Sequence, residues 1–211
     1  MSYSSTVFRY RRGVHPATTD PRIERSRRVV REAALQELAE VGYGAFAIDS
    51  VAGRCGVARS TIYRHWPDKA TLIADAFETL NQQPQPLDPT RSESPRERTH
   101  RLLQHLADVF EDSIFSECLP ALIEGAERNS ELRNFLHEFN DRRRKALVDA
   151  ITDAYATGEL SRQVDPELAA IALAGAIMYR RLMTGARFDP RQVTKLVDTV
   201  LGEPAPAPPR R

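Results

Sequence analysis

The stretch over residues 168–182 constrains this chain more than any other. Asp165-Pro166 opens it, because proline is tolerated at the first helical position, where an N–H would have no intrahelical partner. At helical spacing one stripe holds Leu168, Ile171, Gly175, Met178 and Leu182. Leu173 and Ile177 fall roughly opposite, and Ala169, Ala170, Ala174 and Ala176 fill the flanks. A helix apolar nearly all round must be buried nearly all round. Val193, Leu196, Val197, Val200 and Leu201 follow as a second apolar face. A single layer of helices hardly covers both, so the expected cover is a second copy of the chain. The two copies would pair two-fold through about 166–184 and 190–201. A central helix inside one larger bundle is the competing arrangement.

The remainder also reads as helix. Val30, Ala34, Leu38 and Val41 recur at helical spacing, and Gly42 closes that segment. Pro84, Pro86 and Pro89 mark a break, after which Ser94-Pro95 opens a helix with proline in its first turn. Leu102, Leu103, Leu106, Val109 and Phe110 carry its apolar face. Pro120 is expected in the first turn of a short segment. Leu132, Phe135, Leu136, Phe139, Leu147 and Ile151 mark a long helix that Gly158 ends. Strand signals are negligible, so the expected class is all-α, with about nine helices. Residues 1–20, with Arg9, Arg11 and Arg12, read as a disordered basic arm, and 203–211 as a disordered Pro/Ala tail. No apolar run approaches the ~18 residues that span a bilayer, which excludes a membrane protein. Cys55 and Cys118, without Cys/His spacing around them, exclude a disulfide framework and a zinc finger, and a reducing cytoplasm is the expected compartment.

The 30 Lys+Arg and 29 Asp+Glu nearly cancel, but unevenly along the chain. Residues 1–69 carry 12 basic and 7 acidic side chains, and the remaining residues carry 18 and 22. A basic unit joined to a mildly acidic body suggests a polyanion-binding part attached to something else. Within that unit, Ile48, Val51, Ala52 and Cys55 form one short helix, Gly56 breaks it, and Ile62 and Tyr63 lie on a second. Ala52 is small where the two would cross, and Gly56 supplies the left-handed turn of a helix-turn-helix. Arg59, Ser60, Thr61, Tyr63, Arg64 and His65 then occupy faces that need not be buried. Arg suits guanine edges, Ser and Thr meet bases or phosphates, and Tyr and His reach phosphate oxygens. Asp68 is placed to cap the next helix, with Lys69 in its first turn beside the positive backbone amides.

Gly42-Tyr43, Val51-Ala52, Gly56-Val57, Thr61-Ile62-Tyr63, His65-Trp66 and Lys69 together resemble the N-terminal signature of the tetracycline-repressor family of bacterial transcription regulators. The likeness covers about residues 22–80. More loosely, Phe139, Arg142, Arg143, Gly158-Glu159-Leu160, Asp165-Pro166 and Met178-Tyr179-Arg180 look like one of its C-terminal regulatory domains. The resemblance implies an N-terminal three-helix DNA-binding domain over 21–67 and a helical ligand-binding and dimerisation domain over 68–202. It further implies a cytoplasmic homodimer on a palindromic operator, most simply a repressor, controlled by a small ligand. Carried over by position, Arg59, Ser60 and Thr61 open the recognition helix, Arg64 borders the groove, and Tyr63, His65 and Lys69 take phosphate-contacting places. Trp66 stands where the family usually has Phe, and Ala47 and Ala58 where it has capping Thr or Ser, each cap worth about 0.5–2 kcal/mol.

Two alternatives remain. A constitutive DNA-binding protein would use its C-terminal half for dimerisation only. A ligand-responsive one would line a cavity with Phe110, Phe115, Leu119, Leu122, Phe135, Phe139, Tyr155 and Tyr179 and take a small hydrophobic effector. An enzyme is the other class. His100 and His105 do not share a helix face, Glu117, Glu124 and Glu127 read as a solvated face, and Cys118 as a buried small residue. No phosphate loop or nucleophile elbow occurs, so the chain is read as no enzyme, without cofactor or metal.

Overall fold

Proline at its first position and a run of Ala, Leu and Val start α1 (Pro21–Ala45), which kinks at Gly42. In the computed structural model, which describes residues 21–80, 92–111, 113–160 and 164–204, eight further α-helices follow. They are α2 (Ile48–Cys55), α3 (Arg59–His65), α4 (Lys69–Glu78), α5 (Pro95–Glu111), α6 (Ile114–Arg128), α7 (Ser130–Ala156), α8 (Pro166–Met183) and α9 (Val193–Leu201). The expected arm over 1–20 lies outside the described residues, as does the tail beyond residue 204. Among the described residues no helix is long and apolar enough to cross a membrane.

Side-chain caps fix most starts: Asp68 accepts from Thr71 N, Asn129 from Leu132 N and Asp165 from Leu168 N, at 2.8 to 2.9 Å. α2 and α3 start at Ala47 and Ala58 without a side-chain cap. α1 is the spine joining the two halves, packing on α2 and α4 on one side and on α6 on the other. Its approach to α6 leaves no room at Gly125, where a Cβ would stand 2.6 Å from Leu132 and 2.7 Å from the Tyr43 ring.

Pro120 corrects an expectation. It sits within α6, not in its first turn. Proline removes the donor that the Ser116 carbonyl, four residues earlier, would receive. Arg181 of α8 replaces it: its Nη2 reaches that carbonyl at 3.4 Å while its Nε donates to Ser116 Oγ at 2.6 Å. The defect in one helix becomes a brace between two.

The two apolar C-terminal helices also part company. On α9, Val193, Val197 and Leu201 are buried within the chain, where α5 and α8 cover them. The tie is closed by Arg96 of α5, whose Nη2 donates to Asp198 at 2.5 Å and to the Gly202 carbonyl at 2.9 Å. On α8, Ala169, Ala170, Leu173 and Ile177 are buried, but Leu168, Ile171, Tyr179 and Met183 stand 54 to 72% exposed. One α8 face is therefore core and the other is bare.

Cys118 is fully buried, with its Sγ donating to the Leu35 carbonyl at 3.1 Å. Burial, then the neighbouring Glu117 charge, pushes its thiol up to about 12. In the folded protein Cys118 is expected to resist iodoacetamide at pH 8 and to react only on denaturation; mass spectrometry of alkylated peptides reads this directly. Rapid native labelling of Cys118 would contradict it.

Candidate nucleic-acid interface

α2 and α3 cross around Val51, Ala52 and Ile62, all buried, with Ile48 beneath them. The turn closes at Gly56, whose φ of 66° is left-handed and whose N–H returns to the Ala52 carbonyl at 3.0 Å. Only glycine takes that conformation without strain. Ile62 is the single buried residue of α3, so the rest of this two-turn helix is presented outward. At about 100° per residue, Ser60 and Arg64 lie opposite Ile62. Arg59 and Tyr63 form one shoulder, and the half-buried Thr61 with His65 forms the other. Arg64 thus sits at the centre of the outward face.

Two of the expected contact residues already hold partners inside the chain. Arg59 Nε is 2.6 Å from Asp49 Oδ1, which links the two uncapped helix starts. Asp49 therefore serves both as an acidic group at the N-terminus of α2 and as the anchor of Arg59. Lys69 donates from Nζ to the Tyr43 carbonyl at 2.8 Å and lies 4.2 Å from that ring's centroid. Its ammonium pins the end of α1 to the start of α4, leaving two donors for other acceptors. Burial, then the Asp68 charge, raises the Tyr43 phenol above its ordinary value, so it stays protonated at neutral pH.

A group that sequence reasoning missed holds α3 in place. Trp66, which ends α3, is buried and donates from its indole nitrogen to Asp75 Oδ2 at 2.8 Å. Arg31 of α1 donates to the same oxygen at 2.8 Å and reaches Oδ1 at 3.4 Å. Arg27 approaches the carboxylate at 3.8 Å and the Trp66 ring centroid at 5.8 Å. Trp66 is therefore more than a packing substitute for Phe, since phenylalanine has no N–H to give. Arg31 and Asp75 are 44 residues apart, and neither carries a local signal.

The eight residues expected to line an effector cavity divide. Phe110, Phe115, Leu119, Leu122 and Phe139 are buried and Phe135 half-buried. Phe115 meets Phe110 at 5.6 Å and Phe139 at 5.9 Å, and Phe77 of α4 joins them at 5.6 Å from Phe115. Tyr155 and Tyr179 do not join this group and lie exposed, Tyr155 in the last turn of α7. Tyr179 falls about 20° from Leu168 around α8, on its bare face. The carboxylates expected to face solvent include Glu124, which pairs with Arg128 at 3.5 Å. Among the described residues no three metal-ligating side chains gather.

Comparison with known proteins gives the same picture. Residues 30–76 match the family of bacterial regulatory proteins described as the tetR family, and 89–200 match the tetracyclin repressor-like C-terminal domain. The HTH-type transcriptional regulator YdeS of Bacillus subtilis is 28% identical over 84% of this chain and 88% of its own length. The DNA-binding transcriptional repressor TetR of Mycobacteroides abscessus is 29% identical over 80% of this chain and 87% of its own. Among solved structures, a TetR-family regulator from Rhodococcus sp. superposes with a TM-score of 0.67 at 23% identity, covering 84% of this chain and 99% of that one. NalD of Pseudomonas aeruginosa, a repressor of a multidrug efflux pump, gives 0.66 at 20% identity over 88% of this chain and 99% of its own. At those identities the solved structures speak for the fold.

Proposed function

The chain belongs to the tetracycline-repressor family of DNA-binding transcription regulators, and from that premise we propose how it reads its operator and what controls it. Regulators of this family bind operators as dimers and answer to small-molecule effectors. Here α3 enters the major groove of each half of a palindromic operator. Ser60, Thr61 and Arg64 reach base edges with Arg59, while Tyr63, His65 and Lys69 meet phosphates. The observation that carries this is the single buried side chain of α3, Ile62, which leaves every other residue of that helix at least partly accessible. The bare face of α8 supplies the dimer contact, with Leu168, Ile171 and Tyr179 against their two-fold mates and α9 in a supporting place. A two-fold axis sets the half-sites one helical turn, about 34–36 Å, or a multiple apart. Selection of fragments from the source genome by the purified protein tests the reading; recovery of no palindromic sequence over random competitor overturns it.

Arg59→Ala is expected to weaken operator binding by about 1–3 kcal/mol and to relax preference at one base pair. Lys69→Ala should weaken binding to all sequences alike and reduce the salt slope by about one unit. Because Lys69 also holds Tyr43, a thermal melt is run beside the binding titration to separate lost contact from loosened fold. If both substitutions leave operator affinity intact, α3 is not the reading helix.

The effector would act on the domain formed by α4 to α9, through a coupling free energy typically of 1–3 kcal/mol. A thermal-shift screen of small apolar molecules, followed by operator release, separates this from a constitutive dimeric DNA-binding protein.

A further inference from the structure

We propose that the regulatory domain carries an anion site centred on Arg143, and that its effector is a small organic carboxylate with a flat apolar body. This deepens the ligand-responsive reading above and rests on it. Arg143 projects from α7 into the phenylalanine group, its guanidinium carbon 5.5 Å from the Phe115 ring centroid and 5.3 Å from that of Phe139. Its Nη1 is buried and has no hydrogen-bond partner among the described residues. Burial lowers its pKa, and among the described residues no carboxylate pulls the other way.

Several other arginines of the chain have a carboxylate instead. On α7, Arg142 donates to Glu78 at 2.7 Å, and Arg144 pairs with both Asp141 and Glu167. Arg31, Arg54 and Arg101, partly covered as well, each meet a carboxylate within 3.1 Å. Arg143 is held instead by ring faces. A guanidinium among apolar groups without a counter-charge is costly, and cation–π contact offsets only part of that cost. A methionine of similar reach would fill the position without the penalty.

A carboxylate supplies what is missing. Its two oxygens match the planar fork of a guanidinium, and the pairing gains strength where water is excluded. Phe135, half-buried and 5.8 Å from Phe139, offers aromatic surface next to the ring that Arg143 covers, for a flat body. Arg143 as a whole is only half-buried, so part of its side chain is reachable from solvent. Phe77 packs on Phe115, so the site borders the end of α4, the helix that also carries Lys69 and Asp75.

The test uses the full-length protein without DNA. Benzoate, 2-naphthoate and octanoate are compared with benzamide, 2-naphthamide and octanamide, and with benzyltrimethylammonium, by thermal shift and titration calorimetry. At least one carboxylate is expected to bind roughly tenfold or more tighter than its amide, with the cation weakest. Arg143→Gln should abolish the preference and Arg143→Lys keep part of it. Arg143→Met should raise the melting temperature of the ligand-free protein while losing the carboxylate response. Amides binding as well as carboxylates, no carboxylate binding at all, or an undiminished preference in Arg143→Gln would overturn the site; the wild-type comparison stands even if a variant misfolds. Operator release is measured separately. A carboxylate that binds through Arg143 but leaves the operator bound upholds the site and defeats the ligand-responsive reading. Release by a neutral compound with no carboxylate binding does the reverse.

Discussion

Replacing Leu168 and Ile171 together with glutamate is expected to yield a folded monomer whose operator affinity is roughly 10²–10⁴-fold lower. Both side chains are more than half exposed in the single chain, so their loss costs the monomer little. In a two-fold interface each substitution acts twice. Burying one such side chain is worth about 1.5–3 kcal/mol, and the glutamates add buried like charges facing one another. Each half-site is then bound by a separate chain, and the gain from linking two reading helices disappears. Light scattering coupled to size exclusion gives the mass, circular dichroism the helix content, and a gel-shift titration the affinity. A dimer of unaltered affinity would place the interface elsewhere.

Asp75→Ala is expected to destabilise the protein by about 2–4 kcal/mol and to loosen α3. Breaking a buried ion pair by removing one partner costs about 3–5 kcal/mol, and the lower figure allows for solvent reaching Arg31 and Asp75, whose side chains are 18% and 20% exposed. The substitution strands the Trp66 indole N–H and the Arg31 guanidinium together, with Arg27 losing a weaker contact. Asp75→Asn, which keeps an acceptor but no charge, should fall between; Trp66→Phe, which loses one hydrogen bond, should cost about 1 kcal/mol. Trp66 is the sole tryptophan, so its fluorescence reports this site alone during urea unfolding. A midpoint and emission maximum unmoved by Asp75→Ala would show that the carboxylate does not hold α3.

The helix-turn-helix was legible because its parts lie within a few residues of one another. Ile48, Val51, Ala52, Gly56 and Ile62 state by spacing which face is inside and where the chain must turn. The absent caps at Ala47 and Ala58 were equally plain, being a matter of one side chain each. Pro120 misled for the same reason that it was informative: proline is a start signal unless another element supplies the lost hydrogen bond. Arg181, 65 residues from Ser116, is that element. Of the second apolar face, on α9, Val193, Val197 and Leu201 are covered within the chain by α5 and α8, while Leu196 and Val200 stay half-buried.

Periodicity, capping residues and turn glycines are local, and from them the sequence alone determined an all-α chain, the short outward-facing helix around Thr61 and the two-sided apolar character of α8. Which arginines find a carboxylate was decided only when distant helices packed. Thus Arg31 acquired Asp75, Arg96 acquired Asp198 and Arg143 was left among rings. Side-chain chemistry is written in each residue, but a charge's partner depends on separations that only the folded chain sets, and electrostatic interaction energies change steeply with distance and burial.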